Sequence, residues 1–304
     1  QAMHDRLAAD GNGSALFEQW AATLAAPLGL NNDVAAERFG FTNFVASLPR
    51  RPGDGLIDLQ QAGFRASAFV NRIDLKKSGT CGENRVVFTK ETGVFDFGNR
   101  MTMIFEFNVP DDGTNCRTIS ERWNALRGLE GEPLRAATVA LMLERTQPAN
   151  LNQFRTNDFI QAPFWELREF HLVAGQLVPH PVADTPPFAL QDDPEFRQFV
   201  IANASRFNVG AREGNIIPLE LLGAASNASG QRFEFGNLIP SMPGLTANFN
   251  IMTCSGCHLT ETGTGFVHVA ERLENQPSNL SFFMRSELEF RATVLQSVLD
   301  AAQP

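Results

Sequence analysis

Between residues 66 and 182 the apolar side chains recur at every second position or in short Val, Ile and Phe runs, broken by clusters of Gly, Asn and Asp. A period of two sends successive side chains to opposite faces of an extended backbone, so this stretch calls for a sheet and not a helix bundle. Ala66 to Ile73, Arg85 to Thr89 and Met101 to Val109 form one group of expected antiparallel strands. Gln153 to Ile160, Trp165 to Val173 and Gln176 to Val182 form a second, with Ala174-Gly175 as a hairpin turn. The charged residues of Trp165 to Leu172 alternate with apolar ones, which predicts one solvated face.

Helical spacing appears outside these runs. It covers Ala15 to Leu28, a short segment capped by Asn31-Asn32-Asp33 and running through Phe39, Ser120 to Leu126, Pro133 to Arg145 and Pro194 to Asn203. Glycine-rich and Asn-rich loops are expected from Val209 to Asn250. An amphipathic helix from Ser286 to Ala302 carries Leu288, Val294, Leu295 and Val298 as a stripe that would dock on the core. Strands and helices cluster instead of alternating, so the expected class is α+β: an antiparallel β-sheet body with helical insertions. His4 is expected in a mobile terminus.

Composition narrows the function. Hydrophobic residues at 43% and charged ones at 19% describe a globular chain. No apolar run approaches the roughly 18 residues that cross a bilayer, so no transmembrane segment is expected. A net charge of −9 argues against nucleic acid as a partner. Arginine far outnumbers lysine, the bias of a GC-rich bacterial gene, and with 26 Phe but no Tyr the chain has no phenolic group for radical or ligand chemistry.

Four cysteines carry the rest. Cys81 and Cys116 sit beside turn-forming residues at the ends of strands, a placement that suggests a disulfide. Closing a loop of about 36 residues would stabilise the fold by roughly 4 kcal/mol on the chain-entropy argument. Such a bond implies an oxidising compartment, hence an exported, periplasmic or extracellular protein.

The other two stand in Cys254-Ser255-Gly256-Cys257-His258. This pentapeptide resembles the haem c attachment motif of c-type cytochromes. The resemblance implies one covalent haem, joined through Cys254 and Cys257 and ligated by His258, and a role in electron transfer or related redox chemistry with a redox partner protein. Small Ser255 and Gly256 would let the backbone approach the macrocycle. The resemblance covers five residues only, and 46 residues follow His258, too few for a separate cytochrome domain. Residues 1–250 are therefore expected to form the α+β body, helical over 1–50 and strand-rich over 65–182. Residues 251–304 would form a C-terminal haem-binding segment packed on that body.

His268, beyond a Gly-rich loop, and Met284 are alternative sixth ligands to the iron; an open sixth site would permit peroxidase-like activity. Met252 lies too close on the proximal side. Three other readings stand beside haem. Cys254 and Cys257 could pair as a small disulfide in a cofactor-free extracellular binding module. Cys254, Cys257, His258 and His268 could hold zinc. His171 and His180, with Glu166 and Glu169, could form an acid-base or metal cluster of a secreted hydrolase, although Glu166 points to the opposite strand face.

Overall fold

The structure, a computed structural model, describes residues 2–91, 100–111, 113, 116–161, 164–207, 216–227, 232–236, 238–272 and 276–301. The chain opens with α1 (Ala2–Leu7), α2 (Gly13–Leu24), a hairpin of β1 (Leu28–Leu30) and β2 (Asp33–Ala35), and α3 (Phe41–Ala46). The sheet strands follow: β3 (Phe64–Arg72), β4 (Thr80–Lys90), β5 (Met101–Pro110), β6 (Leu151–Gln161), β7 (Phe164–Val173) and β8 (Gln176–His180). Helices α4 (Arg117–Asn124) and α5 (Gly131–Arg145) interrupt them between β5 and β6. After β8 come α6 (Pro194–Ala202), α7 (Ala204–Phe207), the short β9 (Ser226–Asn227), α8 (Leu245–Asn250) and α9 (Phe282–Asp300). The fold is α+β, as the segregated periodicities imply. Sequential strands pair antiparallel in the order β3-β4-β5-β6-β7-β8, and β9 adds to β7.

Register gives the sheet two unlike faces. Val86, Phe105, Phe154 and Phe170 stand opposite one another across four strands and carry the main core. Helices α1 to α3 close over that face with Phe17, Trp20 and Phe41, so the aromatic rings pack edge to face. One residue along, the register aligns Arg85 with Glu106 and Gln153, and aligns Ile104 with Arg155, Glu169 and His180. The second face is therefore charged. Its floor is a chain of ion pairs, Arg85 to Glu83 at 2.8 Å and to Glu106 at 3.0 Å, then Arg155 to Glu106 at 3.4 Å and to Glu169 at 3.0 Å. Burial alone would discharge the two arginines, but the carboxylates outweigh it and hold both guanidiniums above their ordinary value.

The expected strands are present, most with longer bounds, although β8 stops at His180 short of the expected Val182, and the β7–β8 turn falls at Ala174-Gly175, both with positive φ, of 50° and 78°. Four expectations change. Residues 31–35 form the β1–β2 hairpin and not a capped helix, because Asn31 adopts a left-handed φ of 53° and closes a two-residue turn. Neither face of β7 is solvated over 165–170, since Arg38 from the loop after β2 pairs with buried Asp158 beside Glu166, and Arg168 donates to Glu166 at 2.7 Å. His4 is buried, its ring edge-on to Phe17 and Phe105. In α9, Val294, Leu295 and Val298 dock, whereas Leu288 stays 42% exposed.

The surface that receives α9 is made by the Cys81–Cys116 disulfide, which is present, together with Ile73, Val109 and Ile119. A second apolar core gathers Phe196, Phe207, Phe233, Phe235 and Phe249 from α6, α7, α8 and the connecting chain. That part of the loop-rich stretch 209–250 is thus packed; residues 209–215, 228–231 and 237 lie outside the described residues.

Candidate functional site

Helix α8 ends against the second core and delivers the chain directly into Thr253-Cys254-Ser255-Gly256-Cys257-His258. Asn250 fixes the exit: its side-chain amide donates to the Phe233 carbonyl at 2.8 Å and its side-chain oxygen accepts from the Phe233 amide at 3.0 Å. Thr253 then holds the turn, donating its hydroxyl to the Asn250 carbonyl at 2.7 Å while accepting from the Gly256 amide at 3.1 Å. The amide of Cys254 is anchored to the Thr185 hydroxyl at 3.0 Å. A wide turn follows, in which the Glu261 amide reaches back five residues to the Gly256 carbonyl at 3.0 Å.

Gly256 is required here by the packing of the chain itself. A Cβ at this position would lie 2.0 Å from the Asn250 carbonyl oxygen, so its smallness lets the turn pack against the end of α8. The tight approach is to the chain's own backbone.

Cys254 and Cys257 carry free thiols, the first buried and the second half-buried. Burial raises the pKa of both thiols, and for Cys257, with Cys254 close by, it is pushed up to about 12, so both are protonated at neutral pH. His258 stacks on the indole of Trp165 with centroids 5.1 Å apart. Its Nδ1 lies 2.7 Å from the Phe266 carbonyl oxygen. A carbonyl can only accept, so Nδ1 carries the proton and Nε2 keeps its lone pair, the arrangement that fixes a metal-ligating imidazole. Phe266 sits at a left-handed φ of 66°, costly for a bulky residue, and its carbonyl also accepts from Asn157 at 3.1 Å. Desolvation lowers the His258 pKa to about 4, which keeps the ring in the neutral form that binds metals.

His268 and Met284 arrive together. Ser281 caps α9 by accepting from the Met284 amide at 3.1 Å, and the same hydroxyl lies 2.9 Å from His268 Nδ1. The His268 ring stands beside His258 with centroids 4.5 Å apart, and its Nε2 is 3.4 Å from Cys257 Sγ. Desolvation takes its pKa down to about 3.

These groups share one space. A cavity of about 600 Å³ lies between the charged sheet face and the C-terminal segment, lined by Cys254, Cys257, His258, His268, Met284 and Arg155, with Ile104, Leu167, Met252 and Phe283 as apolar wall. Arg72, Lys77, Arg85 and Arg291 also reach it. Its donor set fits a haem c: two thiols three positions apart, a following imidazole with a free Nε2, and cations able to meet carboxylates. Zinc is less well served, since among the described residues no three of Cys254, Cys257, His258 and His268 gather their donor atoms within 4.8 Å of one another.

Glu166 and Glu169 are separated as the alternation implies. Glu169, His171 and His180 converge on the charged face, while Glu166 belongs to the opposite one with Arg38 and Arg168. Reading the sequence did not single out Thr185, Trp165, Phe266 or Ser281, each of which supports the site through one atom or one ring. Their only sequence signal is the Ser281 cap position ahead of the apolar run of α9. Comparison of the chain with models of known families, with curated proteins and with solved structures gives no match in any of the three.

Proposed function

We propose that this chain is an exported, bacterial monohaem c protein of the periplasm or extracellular space, acting in electron transfer or a related redox reaction. The observation that carries the reading is the cavity of about 600 Å³ that both motif thiols and His258 face, in a chain whose motif spacing independently calls for the same group. A haem c bound there supplies a one-electron iron couple.

Cys254 and Cys257 would hold the macrocycle as thioethers, each S–H adding across one vinyl double bond. Their protonated state suits that addition. His258 offers Nε2 as proximal ligand, with Phe266 keeping the tautomer and Trp165 keeping the ring plane. Lys77 would meet a carboxylate of the group, while Arg72 and Arg85 line the cavity already paired with Asp74 and with Glu83 and Glu106, and the half-buried Arg155 offsets charge at the floor.

Of the two alternatives for the sixth position, the ring spacing counts against His268 and leaves Met284, whose Sδ lies 3.7 Å from Arg291 Nη1. Imidazoles bound on opposite sides of one metal, with metal–nitrogen distances near 2 Å, have centroids roughly 6 Å apart. His258 and His268 are closer than that, at 4.5 Å. His268 then flanks the proximal imidazole and Cys257. The test is the absorption spectrum of protein matured in cells that attach haem c. A low-spin haem spectrum is expected; Met284→Ala should turn it high-spin, and His268→Ala should leave it low-spin. A high-spin wild type would mean an open site and point to peroxide chemistry. Matured protein without visible absorption would overturn the haem reading itself.

A further inference from the structure

Outside the cavity, Glu169, His171 and His180 form a second constellation that the haem reading does not use. Strand pairing creates it. Glu169 lies directly opposite His180 across β7 and β8, and His171 follows Glu169 on the same face, so three side chains meet above one point of the sheet. The two imidazole planes are parallel within 6° at a centroid separation of 3.7 Å. His171 Nε2 lies 3.2 Å and His180 Nδ1 3.4 Å from the same carboxylate oxygen, Oε1 of Glu169. Two ligand atoms that share a tetrahedral ion at about 2.0 to 2.1 Å are separated by roughly 3.3 Å, so each nitrogen stands at ligand spacing from the carboxylate oxygen, and the stacked rings would turn apart to aim both in-plane lone pairs at one ion.

The carboxylate is held for the purpose. Its other oxygen, Oε2, accepts from Arg155 at 3.0 Å and from the Ala183 amide at 3.1 Å, which leaves Oε1 turned to the histidines. Glu169 is buried, yet the His171 and His180 side chains are 35% and 29% exposed, so an ion has a path from solvent. His180 Nδ1 also lies 2.8 Å from the Pro181 carbonyl. In the metal-free protein that nitrogen carries the proton and donates it there, and an ion bound at Nδ1 would leave the proton on Nε2.

We propose that Glu169, His171 and His180 form a binding site for a divalent transition ion of the zinc type, with two imidazoles and one carboxylate as ligands and the remaining positions open to water. Imidazole and carboxylate together suit Zn²⁺ over Mg²⁺ or Ca²⁺, and three protein ligands with a vacant position are the pattern of a reactive centre. The site is independent of haem. Arg155 joins the two, since it pairs with Glu169 and also lines the cavity.

Calorimetric titration of the full chain with Zn²⁺ at neutral pH tests the assignment. One ion should bind. His171→Ala and His180→Ala should each weaken binding by more than the roughly 10- to 100-fold that losing a supporting partner costs. A Cys254→Ser, Cys257→Ser double variant should bind as the wild type does. Circular dichroism on the histidine variants separates lost ligation from lost folding, and His180→Asn provides a second, smaller change. Absence of uptake by the wild type, uptake that survives both histidine changes in folded protein, or uptake that vanishes with the cysteines would each overturn the site.

Discussion

His4 and Gly256 show how much a single position can carry. The His4 ring is enclosed by phenylalanines, its Nε2 has no hydrogen-bond partner, and burial takes its pKa to about 3. An unfolded chain would protonate it near 6.5, so the unfolded state binds more protons over that interval and stability falls as the pH drops from about 6.5 towards 3. His258 and His268 act with the same sign. Replacing His4 by Leu should flatten the pH dependence of urea stability by up to about 1.4 kcal/mol per pH unit below 6.5; an unchanged slope would mean that His4 titrates freely. Gly256→Ala should destabilise by about 1 to 3 kcal/mol, because the added carbon meets a backbone oxygen that has no rotamer to yield, and thermal unfolding reads the loss. Cys254, Cys257 and His258, on which the proposed function rests, were legible because their spacing is local. Burial of His4 was not, since nothing beside it in sequence announces the sheet face it meets.

At the scale of elements, the strands were legible because period two is a strong local signal, and Ala174-Gly175 gave the hairpin turn. The dryness of β7 was not, because the groups that neutralise it, Arg38 and Asp158, come from other elements. The disulfide and α9 form one unit in which Cys81 and Cys116 sit under Val298. Replacing both cysteines by Ala should lower stability by about 4 kcal/mol, given a separation of 35 residues. Hydrogen exchange in α9 should quicken at the same time, since the helix loses part of the surface it docks on. Ser281 and Met284 ride on that helix, so loosening it reaches the cavity wall.

Across the whole molecule, one sheet divides two kinds of chemistry: aromatic packing beneath it, a buried charge chain and a lined cavity above. The chain has a weak point at Glu106, which is buried and faces both Arg85 and Arg155. Glu106→Gln leaves two guanidiniums short of a carboxylate and should cost about 3 to 5 kcal/mol in urea unfolding; a neutral effect would show that the face is wet. The cavity itself was invisible in sequence, because it arises where the motif turn and α9 meet strands laid down far earlier in the chain. Its proposed occupant is the central claim, and the mass of the intact chain from cells equipped for haem attachment tests it most directly. The account predicts the polypeptide plus one haem, reverting to the bare chain when Cys254 and Cys257 are both replaced by serine. A native chain at the bare polypeptide mass, less two hydrogens for a second disulfide, would contradict it.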